Sequence, residues 1–180
     1  LSKDGTGTLA LNGANNLKGT FTLNSGTIGI GNTSALGGST NTVGTSILNI
    51  NGGSLSNTNT NVVAPIVNVV NSLTVNINAN FSVENSPQGN HLLSFQTSIA
   101  GGGKVVLTGA ATSTRTITVN QAPNVGSLGT ELAGLAFNKL QDGGNNIGII
   151  KQGTGTLRFE GAQTTTSQVT GAGTVQQGTR

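Results

Sequence analysis

His91 is the only histidine in the chain. Any hydroxyl nucleophile activated through an imidazole would have to be built around it, with a carboxylate to orient the ring. Glu84 is the nearest acid in sequence, but Asn90-His91 follows the turn-forming stretch Ser86-Pro-Gln-Gly89 and precedes Leu92. The expectation is a solvated turn histidine. The five acids are Asp4, Glu84, Glu131, Asp142 and Glu160. Glycoside cleavage needs two carboxylates facing one bond, and here the acids are scattered, so they read as turn and surface residues. Gly101-Gly-Gly103 and Asp142-Gly-Gly144 lack the aspartates of a calcium-binding glycine repeat. Gly5-Thr-Gly7 and Gly153-Thr-Gly155 have neither the third glycine of a dinucleotide loop nor a following Gly-Lys-Ser/Thr, so they read as corner glycines. The expectation is a chain without catalytic, cofactor-binding or metal-binding residues, and therefore not an enzyme and in need of no cofactor.

The elements that would position any such group must come from an unusual composition. Charged residues make up 7% of the 180, aromatic residues 3% and hydrophobic residues 33%, with 29 glycines and no cysteine. Disordered chains combine low hydrophobicity with high net charge, and this one has plentiful Val, Ile, Leu and Thr at a net charge of +3. Those cations are dispersed and Tyr and Trp are absent, whereas nucleic-acid binding asks for clustered cations and stacking rings. Without cysteine there is neither a disulfide scaffold nor a thiolate metal site. The longest apolar runs, such as Val62-Val-Ala-Pro-Ile-Val67, are too short to span a bilayer as a helix. Starting at Leu1 without an initiator methionine or a signal peptide, the chain reads as an excerpt or a processed product.

Period-two alternation dominates and predicts strands. The pairs Leu9/Leu11, Phe21/Leu23, Ile28/Ile30, Leu48/Ile50, Val67/Val69, Val75/Ile77, Phe81/Val83, Leu93/Phe95, Val105/Leu107, Ile117/Val119, Ile147/Ile149 and Leu157/Phe159 each put two apolar side chains on one face. Turns such as Asn12-Gly13 and Asn51-Gly52-Gly53 separate many of them. Lys3-Asp-Gly-Thr-Gly-Thr-Leu-Ala-Leu-Asn-Gly-Ala14 returns as Lys151-Gln-Gly-Thr-Gly-Thr-Leu-Arg-Phe-Glu-Gly-Ala162, with a worn copy at Gly103–Ala110. A recurring strand between glycine turns is the mark of a repeat fold whose units are stable when stacked. Spacings of twelve residues (Phe81, Leu93, Val105, Ile117) and of nineteen to twenty (Leu9, Ile28, Leu48) predict one β-solenoid domain over 1–180. Its coils would hold about 20–25 residues each, roughly seven to nine in all, in a body about 35–45 Å long. Leu128, Leu132, Leu135, Ala136 and Lys139 fall at helical spacing, which predicts a short helix or an extruded loop near 128–140, capped by Thr130.

Residues 1–55 carry a further signal. Lys3–Asn16, Gly19-Thr20, Asn24-Ser-Gly-Thr-Ile28, Gly31–Gly37 and Asn51-Gly-Gly-Ser-Leu55 together resemble the passenger-associated strand repeat of bacterial autotransporters, and Ile150–Leu157 resembles the opening of another such unit, within a match that extends over 147–175. The resemblance implies a right-handed parallel β-helix, export from the cell, an extracellular or bacterial cell-surface location, and scaffold in place of catalysis.

A solenoid exposes open strand edges unless it is capped. The repeat begins at residue 3 and strand-like Gly171–Gln176 runs nearly to Arg180, so the expectation is a neighbour at each end, either another copy of the chain or the rest of a larger one. The function expected is a structural unit of a surface fibre that self-associates end to end. The alternative is an adhesin-like passenger module that presents a side loop to a glycan or a cell surface.

Overall fold

The computed structural model describes residues 1–37, 46–60, 66–69, 73–84, 92–95, 104–120, 134–159 and 171–175. Among them all regular structure is strand. In chain order the strands are β1 (Ser2–Lys3), β2 (Thr8–Leu11), β3 (Gly19–Leu23), β4 (Thr27–Ile30), β5 (Ser46–Ile50) and β6 (Ser54–Asn57). They continue with β7 (Ile66–Val69), β8 (Leu73–Ile77), β9 (Phe81–Glu84), β10 (Leu92–Phe95), β11 (Lys104–Leu107) and β12 (Thr114–Val119). Last come β13 (Gly134–Phe137), β14 (Leu140–Gln141), β15 (Gly148–Gln152), β16 (Thr156–Phe159) and β17 (Gly173–Val175).

These strands form three sheets. The first runs β1-β3-β5-β8-β11-β14, the second β2-β4-β6-β9-β12-β15-β17 and the third β7-β10-β13-β16. Every pairing is parallel. Strands adjacent in sequence never pair with each other. Each enters a different sheet and meets the strand from the preceding pass of the chain. Parallel neighbours require such crossovers, and here short corners make them.

The two spacings seen in the sequence have different meanings. Phe81, Leu93, Val105 and Ile117 lie in the second, third, first and second sheets, so twelve residues is the step from sheet to sheet. Ile117, 36 residues after Phe81, is its direct partner. Leu9 pairs with Ile28 after 19 residues. Whereas the passes from β6 onward carry a third-sheet strand, in the first pass residues 12–18, between β2 and β3, are not strand. There Asn15 donates its backbone N–H to Ser34 O at 3.0 Å and its Nδ2–H to Ala35 O at 2.8 Å. Later passes are longer than the 20–25 residues expected: Val105 meets Leu140 and Leu93 meets Leu135.

Alternation becomes core. β5 and β8 are buried at every second residue. Parallel register stacks like on like from pass to pass. Leu23, Ile50, Ile77 and Leu107 form one buried column of the first sheet, and Phe21, Leu48, Val75, Val105 and Leu140 form another. In the second sheet Ile28, Leu55, Val83 and Val119 line up behind the partly buried Leu9. In the third, Phe95 and Phe137 stack with ring centroids 6.0 Å apart, and Phe159 follows at 6.4 Å. Of the twelve alternating pairs only Ile147/Ile149 straddles a strand boundary, because β15 starts at Gly148.

The helical reading of 128–140 fails where the structure describes it. Gly134–Phe137 is β13, buried at all four residues, and Leu140 opens β14. The decisive contacts are lateral: Leu135 sits between Leu93 and Leu157, and Phe137 between Phe95 and Phe159. Columns in register outweigh a helical spacing that Gly134 already weakened. At φ 142°, Gly134 has backbone so close to Thr156 that a Cβ would lie 2.0 Å from its carbonyl oxygen. Residues 128–133 lie outside the described residues.

Candidate functional site

The repeated motif builds a corner. Its lysine takes an inward, buried strand position: Lys3 is beside Leu23 and Lys151 beside Ile117. A lysine stem can cover apolar surface if its ammonium finds polar company. Lys3 Nζ donates to the carbonyls of Asp4 (2.8 Å), Gly5 (2.8 Å) and Ser25 (3.2 Å). Lys151 Nζ donates to Gly153 O. Gly5 and Gly153 turn the chain at φ 75° and 78°, left-handed values that favour glycine. The next pass presses onto the first corner so closely that a Cβ on Gly26 would lie 2.2 Å from Gly5 O and 2.6 Å from Gly7 O. Burial holds the Lys151 ammonium below its ordinary pKa.

Beside the first corner runs a ladder of side chains between the first and second sheets. Asn78 donates from Nδ2 to Asn51 Oδ1 at 2.7 Å, Asn51 to Asn24 Oδ1 at 2.9 Å, and Asn24 to Asp4 Oδ1 at 2.9 Å. The Thr108 hydroxyl feeds the far end by donating to Asn78 Oδ1. Every donor points the same way, and the row ends on a carboxylate, which is acceptor only. Hydrogen bonds from Ser2 Oγ and Asn24, with a smaller contribution from the Lys3 charge, hold Asp4 below the usual carboxylate range.

Glu84 ends a second row. It accepts from Ser82 Oγ, from Ser54 Oγ at 3.5 Å and from Asn120 Nδ2 at 3.1 Å, linking β6, β9 and β12. Those donors are neutral, and together they satisfy the carboxylate. His91, its expected companion in any relay, lies outside the described residues, as do Glu131, Glu160 and Gly101-Gly-Gly103. Asp142 departs from the surface reading. It is buried, and its carboxylate accepts from Gly144 N at 2.9 Å and Ile147 N at 3.2 Å, tying the corner between β14 and β15. The described residues contain no group of three His, Cys, Asp or Glu side chains able to hold a metal ion. They also include no helix long and apolar enough to cross a membrane, which says nothing of membrane-crossing strands.

The lysine corner escaped notice in the sequence, although the signal was there. Lysine is the one charged residue shared by both copies of the motif, next to glycines whose carbonyls it would need. The remaining feature of note is the state of the sheet edges. Among the described residues β2 pairs only with β4 and β16 only with β13. Leu9, Leu11 and Leu157 are partly buried there, and Phe159 is 50% exposed at the end of its aromatic stack. Comparison with family models, curated proteins and solved structures yields no match for this chain.

Proposed function

We propose that the three sheets are the faces of a right-handed parallel β-helix, and that this body is a non-catalytic structural unit of an extracellular or cell-surface fibre, joined end to end with copies of itself. The observation that carries the reading is the unfinished core at both edges: apolar columns buried in the middle of each sheet run out to half-covered Leu9 and Leu11 on one side and to Phe159 on the other. A strand edge with an apolar face is a template for strand addition, and a head-to-tail joint does not close on itself. Charged residues are only 7% of the chain, so little charge repulsion opposes the joint. Electron microscopy and light scattering of the purified chain test this. Filaments are expected, and a monomer at high concentration would replace the fibre with a stalk inside a larger chain. His91→Ala and Glu84→Gln should leave filament formation unchanged. A hydrolytic activity abolished by either would overturn the non-catalytic reading, and a saturable glycan or receptor interaction lost on deleting 128–140 would favour an adhesin.

A further inference from the structure

The chain contains two Asn-Gly steps, Asn12-Gly13 and Asn51-Gly52, the sequence most open to spontaneous loss of the side-chain amide. In that reaction the backbone nitrogen of the glycine attacks Cγ of the asparagine. A new N–Cγ bond closes a succinimide ring, the Cγ–Nδ2 bond breaks, and ammonia leaves with the proton given up by the glycine nitrogen. Water from the solvent then opens either ring carbonyl, giving aspartate or isoaspartate. The reaction needs an asparagine Cγ that can approach the following nitrogen, an amide nitrogen not tied to a partner, and a flexible glycine.

Both asparagines are exposed, so exposure does not separate them. Their bonding does. Asn51 is held at both ends of its amide: Nδ2 donates to Asn24 and Oδ1 accepts from Asn78. Its backbone N–H is fixed on Leu23 O at 2.8 Å. Gly52 is packed at φ 153°, with Asn24 O 2.9 Å from where a Cβ would be. Gly13 has open space around it. The Asn12 side chain is held at its oxygen, which accepts from Thr58 Oγ1 at 2.7 Å. That bond reaches across the intervening pass because Gly31 leaves room: a Cβ there would lie 2.5 Å from Asn12 Oδ1. A hydroxyl donor on this oxygen stabilises the negative charge that develops on it as Cγ is attacked.

We infer that Asn12 is a self-modification site, converted to aspartate and isoaspartate in the folded protein with the Thr58 hydroxyl promoting attack, while the ladder protects Asn51. Conversion at Asn12 places a new carboxylate at the end of β2, on the edge pass. At Asn51 it would replace a donor with an acceptor facing Asn24 Oδ1 and break the ladder.

The test is peptide mapping by mass spectrometry after prolonged incubation at mildly alkaline pH, for the folded chain, the chain in urea, and Thr58→Val. In the folded chain the Asn12 peptide should gain acid severalfold faster than the Asn51 peptide, and in urea the two should convert at similar rates. Thr58→Val should slow Asn12 and leave Asn51 unchanged. Asn51 converting as fast as Asn12 in the folded chain, or the same disparity persisting in urea, would overturn the protection. A Thr58→Val chain that keeps its melting temperature but converts Asn12 at the same rate or faster would overturn the part given to Thr58.

Discussion

Lys3 and Lys151 hold the same place in the repeated motif, yet Lys3 lies in the first sheet beside Leu23 and Lys151 in the second beside Ile117. The strand that follows shifts with it: Thr8–Leu11 enters the second sheet and Thr156–Phe159 the third. The motif therefore specifies a corner with its two flanking strands, and it serves both the corner from the first to the second sheet and the corner from the second to the third. What travels with the motif is local chemistry: a buried lysine, a left-handed glycine and a carbonyl that receives the ammonium.

Lys151 offers the sharper test of that corner. Lys151→Ala removes both the stem over Ile117 and the donor to Gly153 O, and should cost about 1–3 kcal/mol. Lys151→Met keeps the stem and should cost less, as read from thermal melts by circular dichroism. Because burial lowers the pKa of this lysine, its charged form costs stability at neutral pH. That cost falls as pH rises through the folded value toward the ordinary lysine value. The wild type should gain stability over this range relative to Lys151→Met. Parallel pH profiles for the two chains would show that Lys151 keeps its ordinary pKa.

Gly26 and Gly13 form a contrasting pair. Gly26→Ala forces a Cβ against the Gly5 and Gly7 carbonyls at φ 72°, so the loss should exceed about 1 kcal/mol. Gly13→Ala meets open space and should leave the melting temperature nearly unchanged. Similar shifts for the two would remove the close packing of successive corners.

The strands were legible because a period of two survives any arrangement of sheets. Leu48/Ile50 and Val75/Ile77 alternate in the sequence as they do in the core. Sheet membership was not legible, because nothing in Phe81–Ile117 says that three twelve-residue steps make one pass. Leu135 fell at helical spacing with Leu128, Leu132, Ala136 and Lys139, and only its lateral neighbours Leu93 and Leu157 decide for a strand. The burial of Lys3 and Asp142 was hidden because residue type argues for exposure. Their partners are backbone groups at corners that form only after the chain has turned.

Register columns predict unequal costs along one sheet. Leu48 is fully buried between Phe21 and Val75, so Leu48→Ala should destabilise by about 2–5 kcal/mol. Leu157, partly buried on an edge strand, should lose clearly less on the same change. Equal losses in denaturant titrations would mean that the third-sheet edge is covered as well as the middle of the first sheet.

Asp4 should make the first pass sensitive to acid. Its folded pKa is lowered by Ser2 and Asn24, so its contribution is fully present above the unfolded value. It is lost as pH falls through the folded one, below the usual carboxylate range. Amide hydrogen exchange in residues 2–11 should rise there in the wild type, whereas Asp4→Asn should show no such step. A step that persists in Asp4→Asn would assign the acid response to another group.

The proposed joint between copies would have a specific place in the second sheet. Motif laid on motif would turn each added copy by one sheet, since Lys3 and Lys151 differ by that step. A different match keeps the sheets aligned. β2 and β4 pair as Thr8 beside Thr27 and Leu9 beside Ile28, each following a glycine. β17 carries the same Gly-Thr-aliphatic pattern, Gly173-Thr174-Val175, in the same sheet, and among the described residues it pairs only with β15. A second copy adding its β2 there, Thr8 beside Thr174 and Leu9 beside Val175, repeats a pairing the chain already makes. Proline at Thr8 or at Val175, whose backbone N–H groups face away from β4 and β15, takes a donor from that ladder and should shorten or abolish filaments. Thr22→Val, on an inner strand of the first sheet, should leave filament length unchanged. Filaments of normal length from both proline variants, with the wild-type fold retained by circular dichroism, would remove the joint from the second sheet.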